Sequence, residues 1–236
     1  MFSKLEFFLA FRYLLSKRKE GFISITAMFS FVGIMIGVAT LIIVMSVMNG
    51  FRVELVSKIL GLNSHLTIYS KNGSIENYDE ILSKIKNIEN VKYANAIVES
   101  QAMISSKNKS TGAIVKGIKT QDLKAKTLVS ENILAGNIEN LSDKNSIIIG
   151  TILAQNLNAK IGDEIKVITA QTSETLIGSI PRVKTYKVAA IFESGMYEYD
   201  ATTIFMNFEI SQIHFQQKEK ASSIEILLTM KIICKV

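Results

Sequence analysis

The chain has 236 residues, 48% of them hydrophobic and 20% charged, enough for one domain of ordinary size plus a membrane segment but too few for two full domains. Its net charge of +6 forms no basic stripe. Lys4, Arg12, Lys17, Arg18 and Lys19 outweigh Glu6 and Glu20 near the N-terminus, and both signs are interspersed thereafter, which argues against nucleic acid as a partner. The single cysteine, Cys234, excludes an internal disulfide and a cysteine-based metal cluster, and leaves the compartment open.

The chain opens with Leu5, Phe8, Phe11 and Leu15 at helical spacing, with Arg12 and a basic cluster close by. Residues 1–20 therefore read either as a helix in the cytoplasmic membrane interface or as an extension of the helix that follows. No charge occurs between Glu20 and Arg52. Phe22 to Met48 is apolar for longer than the ~20 residues a bilayer demands, so residues 21–49 are predicted to span a membrane. The competing reading is a cleaved signal peptide. Against it, the run outlasts a signal peptide's apolar core of ~7–15 residues, and no small-x-small site follows. Lys17, Arg18 and Lys19 precede the span, whereas Arg52, Glu54 and Lys58 after it are mixed in sign. The N-terminus is thus expected in the cytoplasm and the main domain outside, in the periplasm of a cell with two membranes. Gly33 and Gly37 form a small-xxx-small pair suited to close packing of a partner helix, although glycines are common in membrane helices generally.

Residues 50–64 read as a connecting helix and 65–236 as an α+β domain. His65–Ser70 alternates like a strand. Asn77 precedes a helix that places Ile81, Leu82, Ile85 and Ile88 on one face, with Glu80 completing a capping pattern. Strands are predicted at Val91–Val98, Gln101–Ser105 and Gly112–Ile118, the last two joined by the polar turn Lys107-Asn108-Lys109. Ser146–Ile149 is a short apolar strand, Thr151–Leu157 a helix, and Ile165–Thr169, Val183–Phe192, Thr202–Met206 and Ser223–Leu228 further strands. Between two of these, Ala170–Arg182 lacks periodicity and holds the chain's one proline, Pro181. It reads as a long loop, either functional or merely exposed.

Signals of catalysis are thin. His65 and His214 stand far apart without a motif, which indicates neither a metal pair nor a nucleophile–base dyad. Both read as surface or hydrogen-bonded structural residues. In Gly112–Thr120, Ile118 separates Gly117 from Lys119, so the lysine placement of a phosphate-binding loop is absent. Asp163, Glu164, Glu198 and Asp200 fall in apparent turns, where solvated acids are the default. The expectation is a chain that is not an enzyme, with no catalytic residue, no metal ligand and no cofactor.

Several segments together resemble a known family. These are Phe8-x3-Arg12-Tyr-Leu-Leu-Ser-Lys-Arg-Lys19, Gly33-Ile-Met-Ile-Gly37-Val38, Ser46-Val-Met-Asn-Gly-Phe-Arg-Val-Glu-Leu55, Leu157-Asn-Ala-Lys-Ile-Gly-Asp163 and Gly178-Ser-Ile-Pro-Arg182. The chain, up to about Thr229, is similar to the membrane subunits of lipoprotein-releasing ABC transporters of the LolC/LolE type. That resemblance implies one transmembrane helix followed by a strand-rich periplasmic domain of the MacB-like type, an architecture shared with macrolide-exporter and cell-division relatives. It further implies a permease subunit in the bacterial inner membrane. This subunit would pair with a second permease and a separate ABC ATPase, extract lipoproteins and pass them to a periplasmic chaperone. Val44, Val47, Met48 and Phe51 map to the lipoprotein-binding face, or simply face lipid. The chaperone-docking hook maps to Ile177, Gly178, Ile180, Pro181 and Arg182. Family members continue into three more membrane helices, so a chain ending at Val236 reads as truncated. The alternative expectation is a membrane-anchored periplasmic adaptor or binding domain without transport activity.

Overall fold

A computed structural model describes residues 4–14, 21–71, 73–107, 109–175 and 178–229. The chain divides into two compact units, Met1–Val56 and Ser57–Val236.

The first unit is helical. Helix α1 spans Lys4–Leu14 and α2 spans Gly21–Leu62. From Ile25 to Leu62, α2 is long and apolar enough to cross a membrane, with a mean hydropathy of 2.6 in its most apolar window and none of that window buried. Helix α2 passes Gly50 without interruption, so the spanning and connecting segments expected at 21–49 and 50–64 share one helix. It contains no proline, the residue most able to break such a run.

The second unit is an α+β domain containing β1 (Leu66–Tyr69), α3 (Tyr78–Lys86), β2 (Val91–Ser106), β3 (Lys109–Ile118), α4 (Thr120–Ala125), α5 (Thr127–Ser130), β4 (Ile133–Gly136), β5 (Ser146–Gly150), α6 (Thr151–Leu157), β6 (Glu164–Thr175), β7 (Gly178–Phe192), α7 (Tyr197–Thr202), β8 (Thr203–Asn207), α8 (Phe208–His214) and β9 (Ser223–Leu228). A 3-10 turn at Ile138–Ser142 precedes β5. The pairings β2–β3, β3–β8, β8–β5, β5–β7, β7–β6 and β6–β2 close a ring. The N-terminal half of β2 leaves that ring to pair with β9, which in turn pairs with β1, while β4 adds to β7.

Each ring strand contributes alternate residues to one apolar cluster: Ala102 and Ile104, Ala113 and Val115, Ile204 and Met206, Ile147 and Ile149, Val188 and Tyr186, Val167 and Ile165. A closed sheet with alternating inward residues makes a filled barrel rather than a channel. The intervening residues of the central strands are buried too. Ile148, Phe205, Ala190 and Phe192 join a second cluster with Leu62, Ile97, Leu123 and Leu141. Burial on both faces explains why Ser146–Ile149 reads as uniformly apolar.

Several expectations change. The strands expected at Val91–Val98 and Gln101–Ser105 are one continuous β2, because each half pairs with a different neighbour. Asn77 precedes α3 but takes a left-handed φ of 52° and makes no side-chain cap. Ile88 lies beyond the end of α3 and is 58% exposed. The stretch Ala170–Arg182 is no aperiodic loop. Thr172–Thr175 of β6 pairs with Gly178–Pro181 of β7, so the two strands run past the ring as a ribbon. Among the described residues, that ribbon pairs with no third strand. Asp200 is not solvated but buried, accepting from the Ser194 amide at 2.8 Å and the Ser194 hydroxyl at 2.7 Å.

At the β5–α6 junction, a Cβ on Gly150 would lie 2.1 Å from the Asp200 carbonyl oxygen and 2.7 Å from its Cα. Backbone cannot yield as a flexible side chain does. Gly150→Ala is expected to destabilise the domain by about 1–3 kcal/mol, read as a lowered midpoint in urea denaturation of the detergent-solubilised chain.

Candidate functional site

On α2, Ile43, Val44, Val47, Met48 and Phe51 recur at the spacing that stacks side chains on one helical face. They frame a shallow apolar concavity of about 250 Å3. All four residues assigned from the sequence are more than half exposed, and Met and Phe give such a face adaptable, bulky contacts. Gly33 and Gly37 are also exposed, and a Cβ on either would meet nothing within 4 Å. A helix this apolar needs lipid or other helices to cover it.

The ribbon places the second set of residues. Ile177 lies outside the described residues. Gly178 and Ile180 belong to β7 and stand opposite Thr175 and Ser173, and Pro181 stands opposite Thr172. Between the Ile168–Val183 and Thr172–Pro181 pairs the register shifts, so the ribbon is offset from the ring at its base. A proline is tolerated here because a two-stranded ribbon has an open edge. Pro181 and Arg182 are exposed, and the Arg182 guanidinium donates to the Ile213 carbonyl at the end of α8, 2.9 Å away. The ribbon base is thereby tied to a helix.

A third cluster carries no local sequence signal. Lys126, the residue between α4 and α5, is 2% exposed. Its ammonium donates to Glu225 Oε2 at 2.5 Å and to the carbonyl of Leu62, the last residue of α2, at 3.1 Å. Ser64 donates to the same carboxylate oxygen at 3.0 Å. Lys116 lies 3.8 Å from Glu225 and 3.6 Å from Glu99, and donates to the Asn63 side chain at 3.5 Å. Burial pushes the Glu225 carboxyl upward, but the charges of Lys126 and Lys116 and the bonds from Lys126 and Ser64 outweigh it and hold the group below its ordinary range. Burial also lowers the Lys126 ammonium, against the pull of Glu225. Alongside, Gly61 lets the last turn of α2 approach Leu128, whose Cδ1 would stand 2.6 Å from an added Cβ. The end of α2 is thus seated in the domain core by charge and by packing.

Removing one partner of a buried pair strands the other charge, at a cost of about 3–5 kcal/mol, whereas replacing both with apolar groups is near neutral. Lys126→Met is expected to lose stability on that scale, and Lys126→Met with Glu225→Leu to recover most of it, since Lys116 keeps Glu99 and Asn63. Chemical denaturation of the three chains checks this. Because the folded-state value of Glu225 is depressed, its contribution is present above the unfolded value of about 4.3 and fades as pH falls through the lower folded value. Glu225→Gln should flatten that acid limb of the stability profile.

The MacB-like periplasmic core domain family matches residues 27–231. A transmembrane protein of the lipoprotein-releasing system, LolC of Neisseria meningitidis serogroup B, is 30% identical over 97% of this chain and 55% of its own length. LolC of Buchnera aphidicola from Acyrthosiphon pisum is 31% identical over 89% of this chain and 52% of its own. LolE of Haemophilus influenzae is 27% identical over 82% of this chain and 48% of its own. The chain therefore spans about half the length of the curated relatives it matches. Among solved structures, the extracellular domain of the ABC-type transporter YknZ covers 72% of this chain and 87% of its own at 16% identity, with a TM-score of 0.47. The periplasmic region of MacB from Actinobacillus actinomycetemcomitans covers 71% of this chain and 68% of its own at 9% identity, with a TM-score of 0.46. The chain belongs to the MacB-like periplasmic core domain family and, within it, to the LolC/LolE type.

Proposed function

We propose that the chain acts as a permease subunit of an ABC transporter that releases lipoproteins from the bacterial inner membrane. The observation that carries this reading is likeness running through both units at once: the match to proteins named for lipoprotein release covers 97% of the chain, the apolar helix as well as the periplasmic-type domain. In this reading the N-terminus is cytoplasmic, held there by Lys17, Arg18 and Lys19, and the domain from residue 65 onward is periplasmic. ATP hydrolysis belongs to a separate ATPase subunit. A second permease packs along α2, where Gly33 and Gly37 allow close approach. The face formed by Val44, Val47, Met48 and Phe51 receives the acyl chains of the lipoprotein. Burying such chains is favoured by about 0.8 kcal/mol per methylene, which an open apolar concavity can collect without breaking hydrogen bonds. The ribbon carrying Ile177, Gly178, Ile180, Pro181 and Arg182 docks the periplasmic chaperone. Its two strands present an unpaired edge and an exposed proline, and its base is anchored through Arg182.

Photo-crosslinkers placed at Met48 and at Ile180 in cells test the two halves of this reading. Met48 is expected to give adducts with lipoproteins and Ile180 an adduct with a soluble periplasmic protein. Adducts with phospholipid alone at Met48, and none at Ile180, would sink the transport reading and favour an anchored periplasmic adaptor.

A further inference from the structure

Beside the base of the ribbon lies a cavity of about 280 Å3 whose buried polar groups the transport reading does not use. Two of its lining groups are buried and polar. Tyr186, on the inner side of the ring, is 0% exposed, and His214, the last residue of α8, is 5% exposed. Their rings meet edge to face with centroids 5.6 Å apart. Neither the Tyr186 hydroxyl nor His214 Nε2 has a hydrogen-bond partner among the described residues. His214, read from the sequence as a surface or hydrogen-bonded residue, is therefore a buried one with a free nitrogen.

Leaving a buried polar atom unpaired costs about 1–3 kcal/mol, so a group that reached and bonded to both would relieve two such penalties. The rest of the lining says what kind. Arg182 and Lys184 stand at the cavity, with Val183, Ile210 and Ile213 as apolar walls. The Lys184 ammonium lies 5.1 Å from the centroid of the Tyr186 ring. Burial, together with the charges of Lys184 and Arg182, lowers the imidazole of His214 to about 4. Burial raises the Tyr186 phenol. At neutral pH the site thus presents two permanent cations and two neutral groups able to donate.

We propose that this cavity binds a phosphomonoester-type dianion, with Tyr186 and His214 donating to its oxygens and Lys184 and Arg182 neutralising its charge. A single carboxylate would balance one cation and leave the other uncompensated in a half-buried site. A phosphoryl dianion balances both, and its oxygens suit converging charge-assisted donors. Lys184 swings from the face of the Tyr186 ring to the anion, a move its flexible stem permits. The guanidinium of Arg182 keeps its bond to Ile213 and offers its remaining donors. The dianion comes either from free phosphate or from the headgroup of a phosphomonoester lipid. This inference stands apart from the transport reading.

The chain has only two histidines, so its ring resonances give a direct test. The detergent-solubilised full chain is titrated with inorganic phosphate at fixed ionic strength, with acetate in parallel. A saturable shift of the His214 resonances is expected, at least ten-fold tighter for phosphate than for acetate, with His65 unmoved. Saturating phosphate should also raise the His214 titration midpoint toward the ordinary imidazole value. Tyr186→Phe deletes one oxygen and keeps the ring packing, so its fold is preserved, and it should weaken phosphate binding at least ten-fold. Lys184→Ala should do the same. Nanodiscs doped with phosphatidic acid or with phosphatidylglycerol then separate the sources. A His214 shift with phosphatidic acid points to a lipid headgroup, and a response to soluble phosphate alone points to the free ion. Equal response to acetate and phosphate, no saturable response to either, or unchanged phosphate binding by Tyr186→Phe would overturn the proposal.

Discussion

The Lys126 ammonium makes two bonds at once: one to the carbonyl that ends α2 and one to a carboxylate on β9. A helix leaves its last carbonyls without intrahelical partners, and the C-terminal end of its macrodipole favours a cation. Lys126 meets both demands at Leu62. The chain path alone would not hold this helix end firmly. After Ser64 it enters β1, a four-residue strand exposed along its length and paired, among the described residues, only with β9. Through Lys126, Glu225 and Lys116 the same helix end is tied to β9, to β3 and to the segment between α4 and α5. Without that tie, whatever moves at residues 57–62 would be carried by a weak edge strand.

The ring has the opposite character. Closing six strands on themselves removes the free edges that would otherwise invite pairing with other chains, and filling the interior with alternate residues from every strand makes it rigid. The exception is the ribbon, where β6 and β7 run on after β6 parts from β2 at Thr169. A two-stranded ribbon is only marginally stable by itself, and here it is supported at its base by the ring and by the Arg182–Ile213 bond. Its root is thus held on two sides, by strand pairing and by a side-chain bond to α8.

How much of this was legible in the sequence follows from whether a residue's partners are local. The apolar run of α2, helix α6 at Thr151–Leu157 and strand β9 at Ser223–Leu228 lie where periodicity places them, because each has a face or a surrounding that imposes a pattern. The four residues Val44, Val47, Met48 and Phe51 fall on one face by helical arithmetic alone. The ribbon escaped notice because, among the described residues, its strands extend past the ring and pair with each other alone, and its sequence carries no apolar alternation. The buried charges escaped for a different reason. Lys126 looks like any lysine in a polar stretch, since its partners are 64 and 99 residues away. Glu225 sits between Ile224 and Ile226 in an alternation that reads as one face in and one face out, yet its face is covered too, leaving it 4% exposed. His214 and Tyr186 meet only because α8 packs where β7 leaves the ribbon.

The last turn of α2 could be held in its domain by packing or by charge, and the two differ in kind. A purely apolar seat is non-directional and would let the helix end slip or rotate at little cost, whereas an ion pair hydrogen-bonded to a specific carbonyl fixes both depth and rotation. Burying that pair is a poor way to gain stability, because desolvation consumes most of the attraction. Its retention at this joint, in a domain with ample apolar core elsewhere, is understandable if what it supplies is a defined geometry.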